Sequence, residues 1–177
     1  TSNSHLNTYI DMSTVKTRHN NAKETAKELA NAYMTNATID TIVCLDGTEL
    51  IGAFMAEFLA DTGIMSINSG KNISIITPDV NAYGQLVFMD STLRMIKHMQ
   101  VLVLAASVTT GQTITRAAEA VSYYGGTVRG VAAIFSNVEQ TAEGMEIFSI
   151  FQKEDLPDYQ AYLPSECPMC RKKMPID

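Results

Sequence analysis

A chain of 177 residues, 46% hydrophobic and 18% charged, is sized for one folded domain with a real core and is not a disordered segment. Its 13 Lys and Arg against 19 Asp and Glu leave a net charge of −6, which argues against a general nucleic-acid binder but not against a small phosphate ligand held by local amides. No apolar run reaches membrane-spanning length, and 3 cysteines make no disulfide framework, so a reducing cytoplasm is the expected compartment.

Residues 1–7 are polar and lack a signal-peptide pattern; because the chain starts at Thr1, some N-terminal sequence is expected to be missing. Asn20–Thr35 reads as a helix, capped by Asn20 or Asn21, with Glu24 near its start and Ala26, Leu29, Ala30 and Tyr33 on one face. Ile39–Leu45 is a short apolar strand, Asp46-Gly47-Thr48 a turn, and Glu49–Asp61 a second amphipathic helix ended by Gly63. Ile64–Ile67 is a possible short strand. Ile73–Thr77 and Gln85–Met89 read as two arms of a hairpin around a long loop, and Thr92–His98 as a helical turn. Val101–Ala106 is a continuous apolar run, as a central parallel strand covered on both faces requires. Gln112–Tyr124 is a helix stopped by Gly125-Gly126, Thr127–Phe135 a buried strand and Ile147–Phe151 a short one. Lys153–Asp177 holds four of the five prolines and reads as an irregular tail.

Strands alternating with helices describe an open, mainly parallel α/β sheet with helices on both faces. Ligands bind such sheets at the carboxyl ends of the strands. The segments to inspect therefore follow Leu45 and Ala106. After Ala106 come Ser107, Val108, Thr109, Thr110, Gly111, Gln112 and Thr113, and then a helix. Gly111 lets the backbone turn closely around a ligand, the threonines add hydroxyls, and the helix start adds partial positive charge. A phosphate monoester suits that loop; a plain strand-to-helix connection with Thr as cap fits the same spacing. The two common nucleotide fingerprints, G-x-G-x-x-G and G-x-x-x-x-G-K-[ST], are absent.

A buried strand, a short loop ending Thr-Thr-Gly-x-Thr and a helix resemble the signature of the type I phosphoribosyltransferases. By that resemblance Thr109, Thr110, Gly111, Gln112 and Thr113 cradle the 5′-phosphate of phosphoribosyl pyrophosphate. Asp46, Gly47, Thr48 and Glu49 stand where the family places its pyrophosphate loop, and the segment Ile73–Met89 where it has a flexible catalytic loop. Ser2-Asn3-Ser4-His5-Leu6-Asn7-Thr8-Tyr9-Ile10-Asp11 is similar to the Lys-Ser-Gly-x-x-Ser-x-Tyr-x-Asp segment of the orotate branch, which helps form the hood over the base. The resemblance implies one domain, with hood elements at about 1–19 and 152–177 around a core at about 20–151. It also implies Mg²⁺ riding on the phosphates and a homodimer.

The sequence departs from that pattern twice. Two adjacent acids precede the loop in the family, and here those positions are Ala105 and Ala106. The flexible loop of orotate enzymes carries basic residues, yet 72–90 contains no Lys or Arg; Lys71 is the nearest candidate, with Arg94 and Lys97 beyond. Asp46 and Glu49 are the acids that could face the same cleft in place of the missing pair; the alternative is that Asp46 favours a turn and Glu49 a helix start. Lys16 and Arg18 are either solvated or within reach of an anionic ligand.

Cys167-Pro168-Met169-Cys170 is half of a zinc pattern without a second pair, since Cys44 lies in a buried strand and His5, His19 and His98 are scattered. The Tyr- and acid-rich run Lys153–Tyr162 either closes over a base or caps the sheet edge, and Tyr123 and Tyr124 are expected to pack on the sheet. The expected function is an orotate-type phosphoribosyltransferase of nucleotide metabolism, acting on a phosphorylated ribose and orotate or another base. Ala105 and Ala106 favour a catalytically impaired relative that binds the same ligand as a sensor, and a structural subunit with an empty loop ranks third.

Overall fold

The computed structural model describes residues 5–63, 65–163 and 165–171. Five strands form one parallel sheet: β2 (Thr41–Cys44), β3 (Ser74–Ile76), β6 (Gln100–Val108), β7 (Thr127–Ser136) and β8 (Phe148–Gln152), in the order β3-β2-β6-β7-β8. The apolar content of β6 explains its central place. Both faces of a middle parallel strand are covered, so every position from Val101 to Ala106 is buried.

The strand alternation sorts the core into two layers. Ile42, Cys44, Leu102, Leu104 and Ala106 face the helices α2 (His19–Asn31) and α3 (Glu49–Ala60). Val43, Val101, Val103 and Ala105 face α4 (Gln112–Tyr123). Helices thus lie on both faces of the sheet. Small residues permit the close approaches: a Cβ on Gly52 of α3 would meet Cys44 Sγ at 2.6 Å, and one on Gly130 would meet the Tyr33 ring at 2.4 Å. The Tyr33 hydroxyl donates to the Val131 carbonyl at 2.8 Å, which satisfies both buried groups. Buried Asn68 does the same for the chain entering the sheet, accepting from Ile39 N–H at 2.7 Å and donating to Ala37 carbonyl at 2.9 Å.

Several sequence-based expectations are corrected. The first long helix starts earlier than Asn20: α2 begins at His19, directly after α1 (Ser13–Thr17), and neither Asn20 nor Asn21 caps it. The start of α1 is tied instead by Asp11, whose carboxylate accepts the Ser13 N–H at 2.8 Å. Ile73–Thr77 is not a hairpin arm. Its centre is β3, parallel to β2 with Ile42 opposite Ile75, because Ile73 and Ile76 are buried in the core. The hairpin is smaller and lies beyond it, β4 (Asp79–Val80) against β5 (Leu86–Val87), turned by Asn81 and Gly84. Residues 65–67 form no strand, and Ile64 lies outside the described residues. The tail is not wholly irregular: β9 (Ala161–Tyr162) pairs antiparallel with β1 (His5–Leu6), and α5 (Pro168–Arg171) follows. Ser2, Asn3, Ser4 and residues 172–177 lie outside the described residues.

Leu104 is fully buried at the centre of β6. Leu104→Ala is expected to cost about 3 kcal/mol in chemical denaturation, and Leu104→Met less than about 1.5 kcal/mol.

Candidate functional site

All five strands run one way, so the loops after β2, β3, β6 and β7 emerge at the same edge of the sheet. At that edge β6 hands over to α4 through residues 109–111. Gly111 takes φ 79°, a left-handed conformation that side chains resist, and it sits where a helix cap would. No side chain caps α4; the Thr110 hydroxyl reaches the Gln112 N–H only at 3.5 Å, so the reading of this loop as a plain Thr cap is not supported. The first helical N–H groups have no acceptor within the helix, and only at Thr115 does a bond back to Gly111 carbonyl begin, at 2.9 Å. Two main-chain carbonyls of this segment are held by one residue. Asn137, just beyond β7, donates its side-chain N–H to Thr109 carbonyl at 3.1 Å and its main-chain N–H to Val108 carbonyl at 2.8 Å. Donors are thereby left facing a small cleft of about 50 Å³, lined by Ser107 to Thr113, Ala105 and Asp46. Its size matches a phosphate group, not a whole nucleotide.

Asp46 is what the β2 loop contributes. It adopts φ 57° with Gly47 at φ 74°, so a non-glycine residue holds a left-handed conformation beside the cleft. Lys16 of α1 donates to the Asp46 carbonyl at 2.7 Å. The Asp46 carboxyl is crowded by protein although the residue as a whole is exposed. That crowding raises its pKa above the ordinary 3.8, against the opposing pull of Lys16 and the Ala106 N–H. The other three members of this loop do different work. Thr48 is fully buried and donates to Leu45 carbonyl at 2.8 Å. Glu49 accepts from the Thr77 hydroxyl at 2.9 Å and so faces the loop after β3, not the cleft. Gly47 lies beside the Lys16 ammonium. Below them the Cys44 thiol is pushed up to about 12 by burial, against a hydrogen bond from Thr48, and is no nucleophile.

The two alanines face opposite ways. Ala105 lines the cleft and belongs to the α4 layer, whereas Ala106 points into the apolar layer under α2 and α3. The acid-bearing positions of the resembled family are thus filled by apolar core here, and among the described residues Asp46 is the one carboxylate that lines the cleft.

Other expected site residues lie elsewhere. Lys71 pairs with Asp40 at 2.6 Å, and Asp40 also accepts the Gln100 N–H at 2.9 Å. Both contacts are at the amino edge of the sheet, about 25 Å from the cleft by strand rise, so Lys71 is not a group of this site. Lys97, next to Gly125, is at that same edge, and Arg94 sits in the short 3-10 turn preceding β6. A wider cavity of about 770 Å³ runs over β7 and β8 from Val128 to Gln152, and none of the loop residues 107–113 lines it. Tyr123 is exposed and packs on no sheet residue; its neighbour Tyr124 stacks edge-on with Phe88. In the acidic run, Tyr159 is buried against Phe135, ring centroids 5.0 Å apart. Arg18 is exposed, and His19 meets Phe54 edge-on. Sequence reasoning missed Asn137; its signal was a polar side chain directly after a parallel strand's carboxyl end.

No protein-family model matches the chain. A stretch of 79 residues, 44% of the chain, is 34% identical to the orotate phosphoribosyltransferase of Chlorobaculum parvum, of which it spans 39%. Among solved structures, a phosphoribosyltransferase from Corynebacterium diphtheriae aligns with TM-score 0.61 at 19% identity, over 84% of each chain. The Mycobacterium tuberculosis orotate phosphoribosyltransferase in complex with 5-phospho-α-D-ribosyl 1-diphosphate aligns with TM-score 0.58 at 19% identity, over 84% of this chain and 82% of that one. The adenine phosphoribosyltransferase of Thermoanaerobacter pseudethanolicus aligns with TM-score 0.60 at 16% identity, over 81% and 87%. The chain has the type I phosphoribosyltransferase fold. Over that 79-residue stretch its sequence is similar to an orotate phosphoribosyltransferase.

The raised pKa of Asp46 carries a stability cost. Below the unfolded value near 3.8 the carboxyl is protonated in both states and the cost is absent; as pH rises through the folded pKa the charged form disfavours the fold. Asp46→Asn is therefore expected to raise Tm by about 1–2 °C at pH 7 and by nothing measurable at pH 3. A scan of thermal unfolding against pH checks this.

Proposed function

We propose that the chain is an orotate-type phosphoribosyltransferase whose loop at Ser107–Thr113 grips the 5′-phosphate of phosphoribosyl pyrophosphate. The observation that carries this reading is the uncapped start of α4 after left-handed Gly111, facing a phosphate-sized cleft at the carboxyl edge of a parallel sheet. The family resemblance and the solved neighbours support the same ligand. Lys16, beside Asp46 and Gly47, is the cation placed to meet a diphosphate. Mg²⁺ fits this site in one respect, because Asp46 offers a hard carboxylate oxygen at the cleft, and the ligand's own phosphates and water would complete an octahedral set.

A second reading has its own observation. Transfer of a ribosyl group builds positive charge on the sugar, which nearby anions stabilise. Ala105 supplies none, Ala106 is turned into the core, and residues 79–87 of the hairpin carry no basic side chain. Each ~1.4 kcal/mol of lost transition-state stabilisation is tenfold in rate. That combination favours a protein that binds the ribose phosphate and reports or regulates, with slow turnover or none. Orotate as the base, a homodimer and a cytoplasmic role in pyrimidine synthesis belong to the first reading.

Phosphoribosyl pyrophosphate with Mg²⁺ at 100 times its dissociation constant is expected to stabilise the fold by ~2.7 kcal/mol, a rise in Tm of about 5–10 °C. Gly111→Ala, which forces a side chain into a left-handed position with Thr141 Cα 3.4 Å away, is expected to weaken that binding at least about tenfold. No shift with any phosphorylated ribose would refute both readings. Pyrophosphate release with orotate then separates them: turnover selects the enzyme, and binding without turnover selects the sensor. Ala105→Asp, directed at the cleft, is expected to raise turnover, whereas Ala106→Asp is expected to lower Tm by placing a carboxyl in the apolar layer.

A further inference from the structure

Far apart in sequence, His5 and the Cys167–Cys170 pair meet in space. β1 and β9 place the two ends of the chain side by side, with His5 opposite Tyr162. The chain then turns into α5, which brings Cys170 Sγ to 3.2 Å from His5 Nδ1, across 165 residues of sequence. The two sulfurs and a ring nitrogen of His5 all lie within 4.8 Å of one another. A tetrahedral zinc ion, with bonds of about 2.3 Å to sulfur and 2.0–2.1 Å to nitrogen, needs such atoms roughly 3.5–3.8 Å apart. One pair at 3.2 Å and the others within 4.8 Å bracket that requirement, so small side-chain rotations bring the three atoms to it.

The N–H groups of Met169 and Cys170 bond to Cys167 Sγ, and the Arg171 N–H bonds back to Cys167 carbonyl at 3.2 Å. Cys167 itself is 1% exposed, so its sulfur is fixed in place and sheltered from solvent, whereas Cys170 stands at the open side next to His5. Soft sulfur with imidazole, and no carboxylate in the cluster, selects zinc over magnesium or calcium.

We propose that His5, Cys167 and Cys170 bind one zinc ion, with a water molecule in the fourth position, and that this ion fastens the two ends of the chain together. The mechanical need is visible. The sheet of β1 and β9 is two residues long on each side, and a two-stranded pairing of that length is marginal alone. Neighbouring contacts help: Asn7 N–H bonds to Gln160 carbonyl at 3.2 Å, and Asn7 Oδ1 accepts from Gln160 N–H at 2.8 Å. A metal bridge adds a closure that exists only in the folded chain, so its binding free energy becomes stability of this end. The proposal is independent of the phosphate loop and stands whichever functional reading holds.

The test uses the whole protein, purified under reducing conditions without a chelator. Elemental analysis is expected to find one zinc per chain. Replacement by Co²⁺ is expected to give a thiolate-to-cobalt charge-transfer band and the visible absorption of a tetrahedral ion. Cys167→Ser and Cys170→Ser should abolish the band, and His5→Gln should weaken metal affinity by about tenfold or more. Cys44→Ala should leave the spectrum unchanged. Hydrogen exchange at residues 5–7 and 160–163 of the unaltered protein should speed up on chelation, which keeps the proposal testable even if a variant fails to fold. Absence of stoichiometric zinc together with absence of a cobalt band would overturn it. So would an unchanged affinity in His5→Gln, or recovery of a Cys167–Cys170 disulfide in place of metal.

Discussion

The pairing of β6 with β2 on one side and β7 on the other governs the site. Parallel strands in register bring their carboxyl ends to one edge, so Asp46, the start of α4 and Asn137 arrive together though about 90 residues separate the first from the last. Apolar side chains on both faces of β6 hold that register, because a slip of one residue would exchange its two buried layers. Gly111 then converts the end of a rigid strand into a rigid helix start within a few residues. The donors of the loop are consequently fixed before any ligand arrives, which spares the ordering cost that a flexible loop would incur on binding.

Two kinds of group meet at this edge. The loop after β6 presents main-chain groups, and these survive any side-chain change that leaves Gly111 and the β6–α4 turn intact. At positions 105 and 106, where the resembled family has acids, the chain has methyl groups. Ala106 cannot be regarded as an acid merely deleted, since its neighbours under α2 and α3 are apolar and would not receive a carboxylate. Among the described residues Asp46 is the acid that lines the cleft, and it comes from a different strand.

The sheet strands and long helices could be read from the sequence because burial on both faces leaves an unbroken apolar run, as in 101–106, and a helix leaves a 3.6-residue period, as in α2. The misreadings share a cause. Ile73–Thr77 looked like a hairpin arm because short apolar runs do not state their partner; the choice between β5 and β2 was settled by the core behind Ile76, which the sequence shows only as one more isoleucine. Lys71 is near a loop along the chain, whereas its position in space is set by Asp40 at the other end of the sheet. His5 seemed isolated because its partners stand 162 and 165 residues away, and no local pattern encodes that distance. The loop at 107–113 is the most legible part since its residues are contiguous; Asn137 is not, since it acts on the loop from the next strand.

Strain and cost are distributed in keeping with that division. Asp46 holds a left-handed backbone and a carboxyl whose pKa crowding pushes up, while Thr48 two residues later is buried and bonded. A chain under no demand at this edge would gain by placing Gly or Asn at position 46, since either accepts the conformation without the burdened charge. An acid that is unfavourable in both respects thus stands beside the uncapped start of α4. The same residue would be a liability in a purely structural loop, so the physical chemistry of Asp46 weighs against the reading of an empty, structural subunit.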